Sequence, residues 1–208
     1  MVRRLFLVLA TGLLPGALVF QMEPFGRIEH RYELTLGVAA YNLTTGASVF
    51  YRADTLFPTA SVIKLAVLVE LYRQYARDYL SPEDTLVLTA QRIYPGSGVL
   101  QHLSVPRVLS LQDAAVLMII LSDNTATNLV FDRLGPHHDA RLDSVNATLR
   151  SLGLQRTRML NKPFGFSTRK NTPEARRYGI GMGTPRELMQ LMIAMAQGRV
   201  VSAEGSRE

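Results

Sequence analysis

The chain has 208 residues, 47% of them hydrophobic, and 23 lysines and arginines against 17 acids give a formal charge of +6. That length suits one domain with a real core, and the hydrophobic share excludes a disordered chain. The absence of cysteine excludes disulfides, thiolate nucleophiles and cysteine-based metal sites, and the positive charge is not interleaved with aromatics, so no nucleic-acid partner is expected.

Met1-Val2-Arg3-Arg4 is a cationic start to an apolar run from Leu5 to Phe20, the layout of a secretory leader. The run is shorter than the roughly 20 residues that span a bilayer comfortably, and Pro15 and Gly16 interrupt it as a buried helix. No clean small-x-small cleavage site follows. Residues 1–20 are read as a signal peptide or N-terminal membrane anchor. The protein is expected to be exported: periplasmic, extracellular or membrane-anchored.

Met22 to Arg31 suits a short helix. Glu33 to Tyr41 and Ala47 to Tyr51 are rich in strand formers on either side of the turn Asn42-Leu43-Thr44-Thr45-Gly46, so the pair reads as a hairpin. Thr59 is a candidate N-cap for a helix running to about Asp78. From Val62 to Leu71 that helix is apolar on almost every side, which places it in the middle of its domain. Ser61 and Lys64 interrupt the rule. Residues three apart share a helix face, so the amine can approach the hydroxyl. A buried lysine must be paired or neutral. Beside a hydroxyl at a helix start, where N–H groups are unsatisfied, it fits an activated serine nucleophile.

A short extended piece, Leu86-Val87-Leu88, precedes the loop Pro95-Gly96-Ser97-Gly98. Ser110-Leu111-Gln112-Asp113 is a capping box with aspartate in place of glutamate. It opens a second helix, to Leu121, apolar on nearly every side and expected to be buried. Ser122-Asp123-Asn124 ends it. An amphipathic helix to Leu134 is expected next, then one from Ser144 to Leu152 with Gly153 as C-cap. His137-His138-Asp139, after a Gly-Pro stop, is read as a surface turn; no metal is expected. Arg156 to Gly183 is expected to be a functional loop. Thr184-Pro185-Arg186-Glu187 caps a last helix ending near Gly198, with Met182, Met189, Met192 and Met195 at core spacing. Val200 to Glu208 are expected to add no core.

Ser61-x-x-Lys64 followed by Ser122-Asp123-Asn124 resembles two of the three signature strings of class A β-lactamases and penicillin-binding proteins, S-x-x-K and S-D-N. Leu-Thr-Leu-Gly-Val-Ala before the hairpin turn, Pro-Gly-Ser-Gly-Val-Leu at 95–100, Leu-Ser-Leu-Gln-Asp at 109–113, Asn124 to Asn128 and Thr-Pro-Arg-Glu-Leu at 184–188 extend the resemblance over about residues 30 to 200. It implies an α+β fold of the β-lactamase/transpeptidase type, with a helical lobe and an antiparallel sheet. It also implies a catalytic domain over residues 21–208 that takes a small β-lactam or a peptidoglycan peptide, needs no cofactor, and is a monomer. Ser61 would be acylated. Lys64 would take or relay its proton, and Ser122 would protonate the departing nitrogen. Asn124 would bind the substrate's side-chain amide and would also contact Lys64, and Ser97 either lines the pocket or is a plain turn serine. Asp123 would be structural, and the Ser61 N–H would be one oxyanion donor.

The chain departs from that family in two places. Where the family carries Glu-x-x-x-Asn, the glutamate activating the deacylating water, Thr157 to Phe166 holds no carboxylate; Glu174 is read as a solvated ion pair rather than a replacement base. K-T-G is also missing; Lys170-Asn171-Thr172 is the nearest string, in a loop. Only the N-terminal strands of the sheet are expected. The chain therefore reads as incomplete at its C-terminus, a state expected to expose both buried helices and to impair folding. Three functions follow from these features: a serine β-lactamase, a D,D-peptidase or penicillin-binding protein, and a non-catalytic homologue.

Overall fold

The computed structural model describes residues 3–7, 23–165 and 168–201. β1 (Arg3–Leu7) runs parallel to β2 (Leu34–Tyr41), Arg3 opposite Leu34; the rest of the expected leader, residues 1–2 and 8–20, lies outside the described residues. α1 (Glu23–Tyr32) precedes the hairpin. β2 and β3 (Ser48–Tyr51) pair antiparallel, and the turn between them is closed by Asn42 Oδ1, which accepts from the N–H groups of Thr44 and Thr45. Glu29 clamps α1 onto this hairpin, accepting from Leu36 N and from the Tyr51 hydroxyl, both at 2.7 Å. The sheet is thus antiparallel except for β1.

After β4 (Phe57–Pro58) the chain makes a 3-10 turn over Ala60–Ile63 and continues directly as α2 (Lys64–Tyr75). Thr59 sits at the cap position with φ −78° and ψ −20°, and its side chain makes no capping bond. Capping needs extended backbone, so that the hydroxyl can turn back onto the N–H groups ahead of it; Thr59 is already helical. α2 is the core of the helical lobe, as its sequence predicts: Ala66, Val67 and Leu71 are inaccessible to solvent. The helices that follow enclose it, so it is not exposed, contrary to expectation.

β5 (Thr85–Leu88) and β6 (Arg107–Ser110) form a separate hairpin leading into α3 (Leu111–Ile120). Ser110 Oγ caps α3 by accepting from Asp113 N at 2.9 Å. α3 is not buried all round: Leu111, Ala114, Ala115 and Met118 face the core, while Val116, Ile119 and Ile120 face solvent. α4 (Asn124–Phe131) errs the other way, since every one of its residues is buried and none of it is amphipathic in place. Its polar residues Thr125, Thr127 and Asn128 are tied to backbone groups instead of water.

α5 (His138–Ser151) starts six residues before Ser144, because His137 acts as its cap, Nδ1 accepting from Ala140 N. His138 packs edge-on against Phe131. Segment 156–183 is not structureless. It holds β7 (Arg158–Met159), α6 (Pro173–Tyr178) and β8 (Gly181–Gly183), with β8 pairing to both β4 and β7. Thr172 caps α6 through Ala175 N at 3.1 Å, with proline first in the helix; that signal was in the sequence, masked by the surrounding glycines and basic residues. α7 (Pro185–Ala196) is capped by Thr184 and packs behind β2. Of its methionines Met189 is buried, Met192 is exposed and Met195 is partly buried, and Val200 beyond it does join the core; residues 202–208 lie outside the described residues.

Candidate active site

Two backbone strains bring the predicted residues together. Ala60, just before Ser61, has φ +45°, and Ser122, between α3 and α4, has φ +52°. L-residues enter that region at a cost of about 1–3 kcal/mol and hold it only where the surroundings enforce it. The second strain matters most. Leu121 N and Asp123 N both return to Leu117 O, at 3.3 and 3.2 Å, so α3 ends abruptly and the Ser122 carbonyl turns out of the helix. Asp123 then caps α4, Oδ1 accepting from Ala126 N at 2.8 Å while Oδ2 accepts from Leu100 N at 2.9 Å. Its expected structural role is the one it has.

Lys64 is buried, and its ammonium donates to Ser122 O at 2.6 Å, Ser122 Oγ at 3.0 Å and Asn124 Oδ1 at 2.9 Å. An ammonium has three donors, and all three are used. Among the described residues the Ser61 hydroxyl takes none of them; it is exposed toward the hollow. Burial pushes the Lys64 amine down to about 8, with the Asp123 charge pulling the other way. Roughly a tenth of the molecules therefore carry a neutral amine at pH 7. That fraction has a lone pair with which to accept a proton.

The loop 94–100 forms the second wall. Asn124 donates its N–H to Ser97 O at 3.0 Å and its Nδ2 to Pro95 O at 3.0 Å. Asn124 Nδ2 retains one free N–H. Gly98 makes this close approach possible: at φ +109°, a Cβ there would lie 2.1 Å from the Asp123 carboxyl carbon. Ser61, Ser97 and Asn124 all line one hollow of about 440 Å³.

The third wall is the loop that leaves β7, in which the sequence predicts no catalytic carboxylate. Asn161, Lys162, Pro163, Phe164, Gly165 and Arg169 line the hollow here, and no acidic residue does so among those described. The loop is closed at its neck by Leu160 N and Asn161 N, which donate to Ile180 O at 2.8 and 3.1 Å, and by Asn161 Oδ1, which accepts from Lys170 N at 2.7 Å. Asn128 Nδ2 holds its tip through Pro163 O at 2.7 Å. Lys162 is committed to Asp132 at 3.4 Å and to the Tyr94 hydroxyl at 3.3 Å. Glu174 is exposed and 3.9 Å from Arg158, on a different, smaller hollow. Lys170-Asn171-Thr172 lies between this loop and α6. Sequence reasoning missed Asn161, Lys162 and Arg169 because it searched the loop only for a base. Among the described residues no group of three or more histidines and acids is arranged to hold a metal.

The chain is similar to known proteins. The chain is 37% identical over 131 residues to a β-lactamase of Streptomyces albus G, covering 60% of this chain and 40% of that protein. A β-lactamase structure from Sphaerobacter thermophilus superposes with a TM-score of 0.68 at 32% identity, over 82% of this chain and 58% of that one. A mutant of PBP-A, solved as an acyl-enzyme complex with penicillin G, superposes with a TM-score of 0.71 at 29% identity, over 89% and 65%. The chain thus spans only part of the length of each relative. A family model described as the β-lactamase enzyme family matches residues 23–208, which contain every strand and helix that builds the hollow, and the chain belongs to that family.

Proposed function

We propose that this protein opens β-lactam amide bonds through an acyl-enzyme on Ser61. The carrying observation is the buried Lys64 amine, held down to about 8 and bonded to Ser122 Oγ, beneath a hollow lined by Ser61 and Asn124. Neutral Lys64 takes the Ser61 proton as Oγ adds to the lactam carbonyl. The carbon–nitrogen bond then breaks, and the nitrogen takes the Ser122 proton, which the Lys64 ammonium replaces across 3.0 Å. The Ser61 N–H, at the open start of the 3-10 turn, supplies one donor to the oxyanion. The remaining Asn124 N–H binds the acyl-side amide. Water finally cleaves the ester and releases Ser61.

One observation favours a second use of the same chemistry. With no acid among the described residues lining the hollow, deacylation lacks a carboxylate base, and the acyl-enzyme persists as in a D,D-peptidase that is trapped by penicillin. An exported monomer, with the cationic start and apolar run as leader or anchor, suits either substrate.

Incubation with benzylpenicillin followed by intact-mass measurement tests the reading. The expected result is a mass increase of one penicillin on Ser61, absent in Ser61→Ala. Steady turnover of a chromogenic cephalosporin marks the β-lactamase; stoichiometric labelling with release of D-alanine from acyl-D-Ala-D-Ala peptides marks the peptidase. A soluble, folded protein that takes no label sinks both and leaves the non-catalytic homologue.

A further inference from the structure

The hollow beside Ser61 has an electrostatic bias that the acylation chemistry does not use. Two of its lining residues are cations, Lys162 and Arg169, and none is an acid among those described. Lys162 is tethered by Asp132 at 3.4 Å, which also takes Arg141 at 2.9 Å and Arg92 at 3.6 Å, so its ammonium is held in a fixed place at the edge of the hollow. Arg169 is different. It is exposed, lines the hollow, and has no ion pair or hydrogen bond to any described residue. The nearby arginines Arg141, Arg158 and Arg176 are each engaged.

The position of its loop says which part of a substrate Arg169 meets. The 161–165 segment sits against the Asn124 side of the hollow: Asn128 Nδ2 grips Pro163 O, and a Cβ on Gly96 would stand 2.7 Å from Asn124 Nδ2 and 3.2 Å from the Phe164 ring. Asn124 receives the acyl-side amide in the function proposed above, on which this inference rests. Arg169 follows on the same loop and lines the same hollow, next to Lys170, whose N–H is held by Asn161 Oδ1 at 2.7 Å. A guanidinium pairs with a carboxylate through two parallel N–H···O bonds, and it stays charged at every working pH.

We propose that Arg169 is a specificity-determining residue that selects substrates carrying a second carboxylate on the acyl side of the scissile amide. For a lactam this means an acyl side chain with its own acid group. For a peptide it means a residue with a free carboxylate upstream of the cleaved bond.

Three penicillins differ at the one relevant carbon: carbenicillin carries a carboxylate there, benzylpenicillin carries hydrogen, and ampicillin carries an ammonium. The measurement is the second-order rate of Ser61 acylation for each, at low and high salt. The full chain should favour carbenicillin over benzylpenicillin by about tenfold at low salt, the effect of one modest charge-assisted hydrogen bond, and should disfavour ampicillin. Arg169→Gln should bring the three rates together, and Arg169→Glu should invert the order. A carbenicillin preference that survives in Arg169→Gln, or equal rates in the unaltered chain, overturns the assignment while leaving Ser61 acylation intact. No labelling by any of the three overturns the underlying function, and the assignment with it.

Discussion

Lys64 Nζ donates to the main-chain carbonyl of Ser122 at 2.6 Å, a bond that exists only because Ser122 holds φ +52° and turns that carbonyl out of α3. The lysine is therefore fixed by backbone as well as by side chains. It cannot swing away to water without abandoning three partners at once. Lys64→Met should lower the rate of Ser61 acylation by about 10²–10⁴-fold, the usual worth of a positioned proton-transfer group, when penicillin labelling is followed by mass. Lys64→Arg should not rescue it, because a guanidinium stays protonated and has no lone pair to offer.

The pH dependence follows from the same amine. Acylation requires the neutral form, so its second-order rate should rise about tenfold per pH unit below about 8 and level off above it. Stability should move in the same direction over a higher window. Unfolded lysine titrates near 10.4, so between about 8 and 10.4 the unfolded state binds more protons and folding stability rises with pH. Below about 8 both states are protonated and the burial penalty is present in full. Urea titrations of the parent and of Lys64→Met should differ in slope across that window and run parallel below it.

Gly98 is where the 94–100 loop meets Asp123. Alanine there would need φ +109° and would put a methyl carbon inside the carboxyl group of Asp123. Gly98→Ala should destabilise the protein by at least about 2 kcal/mol, measured by denaturant midpoint. It should also slow acylation, since Asn124 hangs from the same loop.

Glu70 ties α2 to α5 inside the helical core. Its carboxylate accepts from Ser144 Oγ and Thr148 Oγ1, both at 2.5 Å, and from Gln74 Nε2 at 2.7 Å. Glu70→Ala would strand three donors and leave a hole. The expected cost is about 2–4 kcal/mol. Glu70→Gln should cost less, because it keeps one acceptor. Thermal melting of both variants checks the order.

Much of this protein was legible in its residues, for local reasons. The β2–β3 hairpin, the apolar α2 and the caps at Ser110 and Thr184 are all decided within a few positions, by side chains that satisfy neighbouring N–H groups or by the spacing of apolar ones. The contact of Asn124 with Lys64 was legible through the two strings that carry it; the hydrogen bond of Lys64 to the Ser61 hydroxyl was not formed, because its ammonium is taken up by Ser122 O, Ser122 Oγ and Asn124 Oδ1.

Tertiary structure decided what depends on distant partners. α3 and α4 are both rich in apolar residues, yet α3 meets solvent along Val116, Ile119 and Ile120 while α4 is enclosed with its threonines and asparagines. Burial is set by what packs on each face, and no sequence period records that. Thr59 failed as a cap because its backbone is already helical, with its N–H held by Gly181 O of β8 at 3.0 Å. The charge of the hollow was likewise a property of the assembled walls: of its two loop cations, Lys162 is tethered by Asp132 while Arg169 pairs with no acid among the described residues.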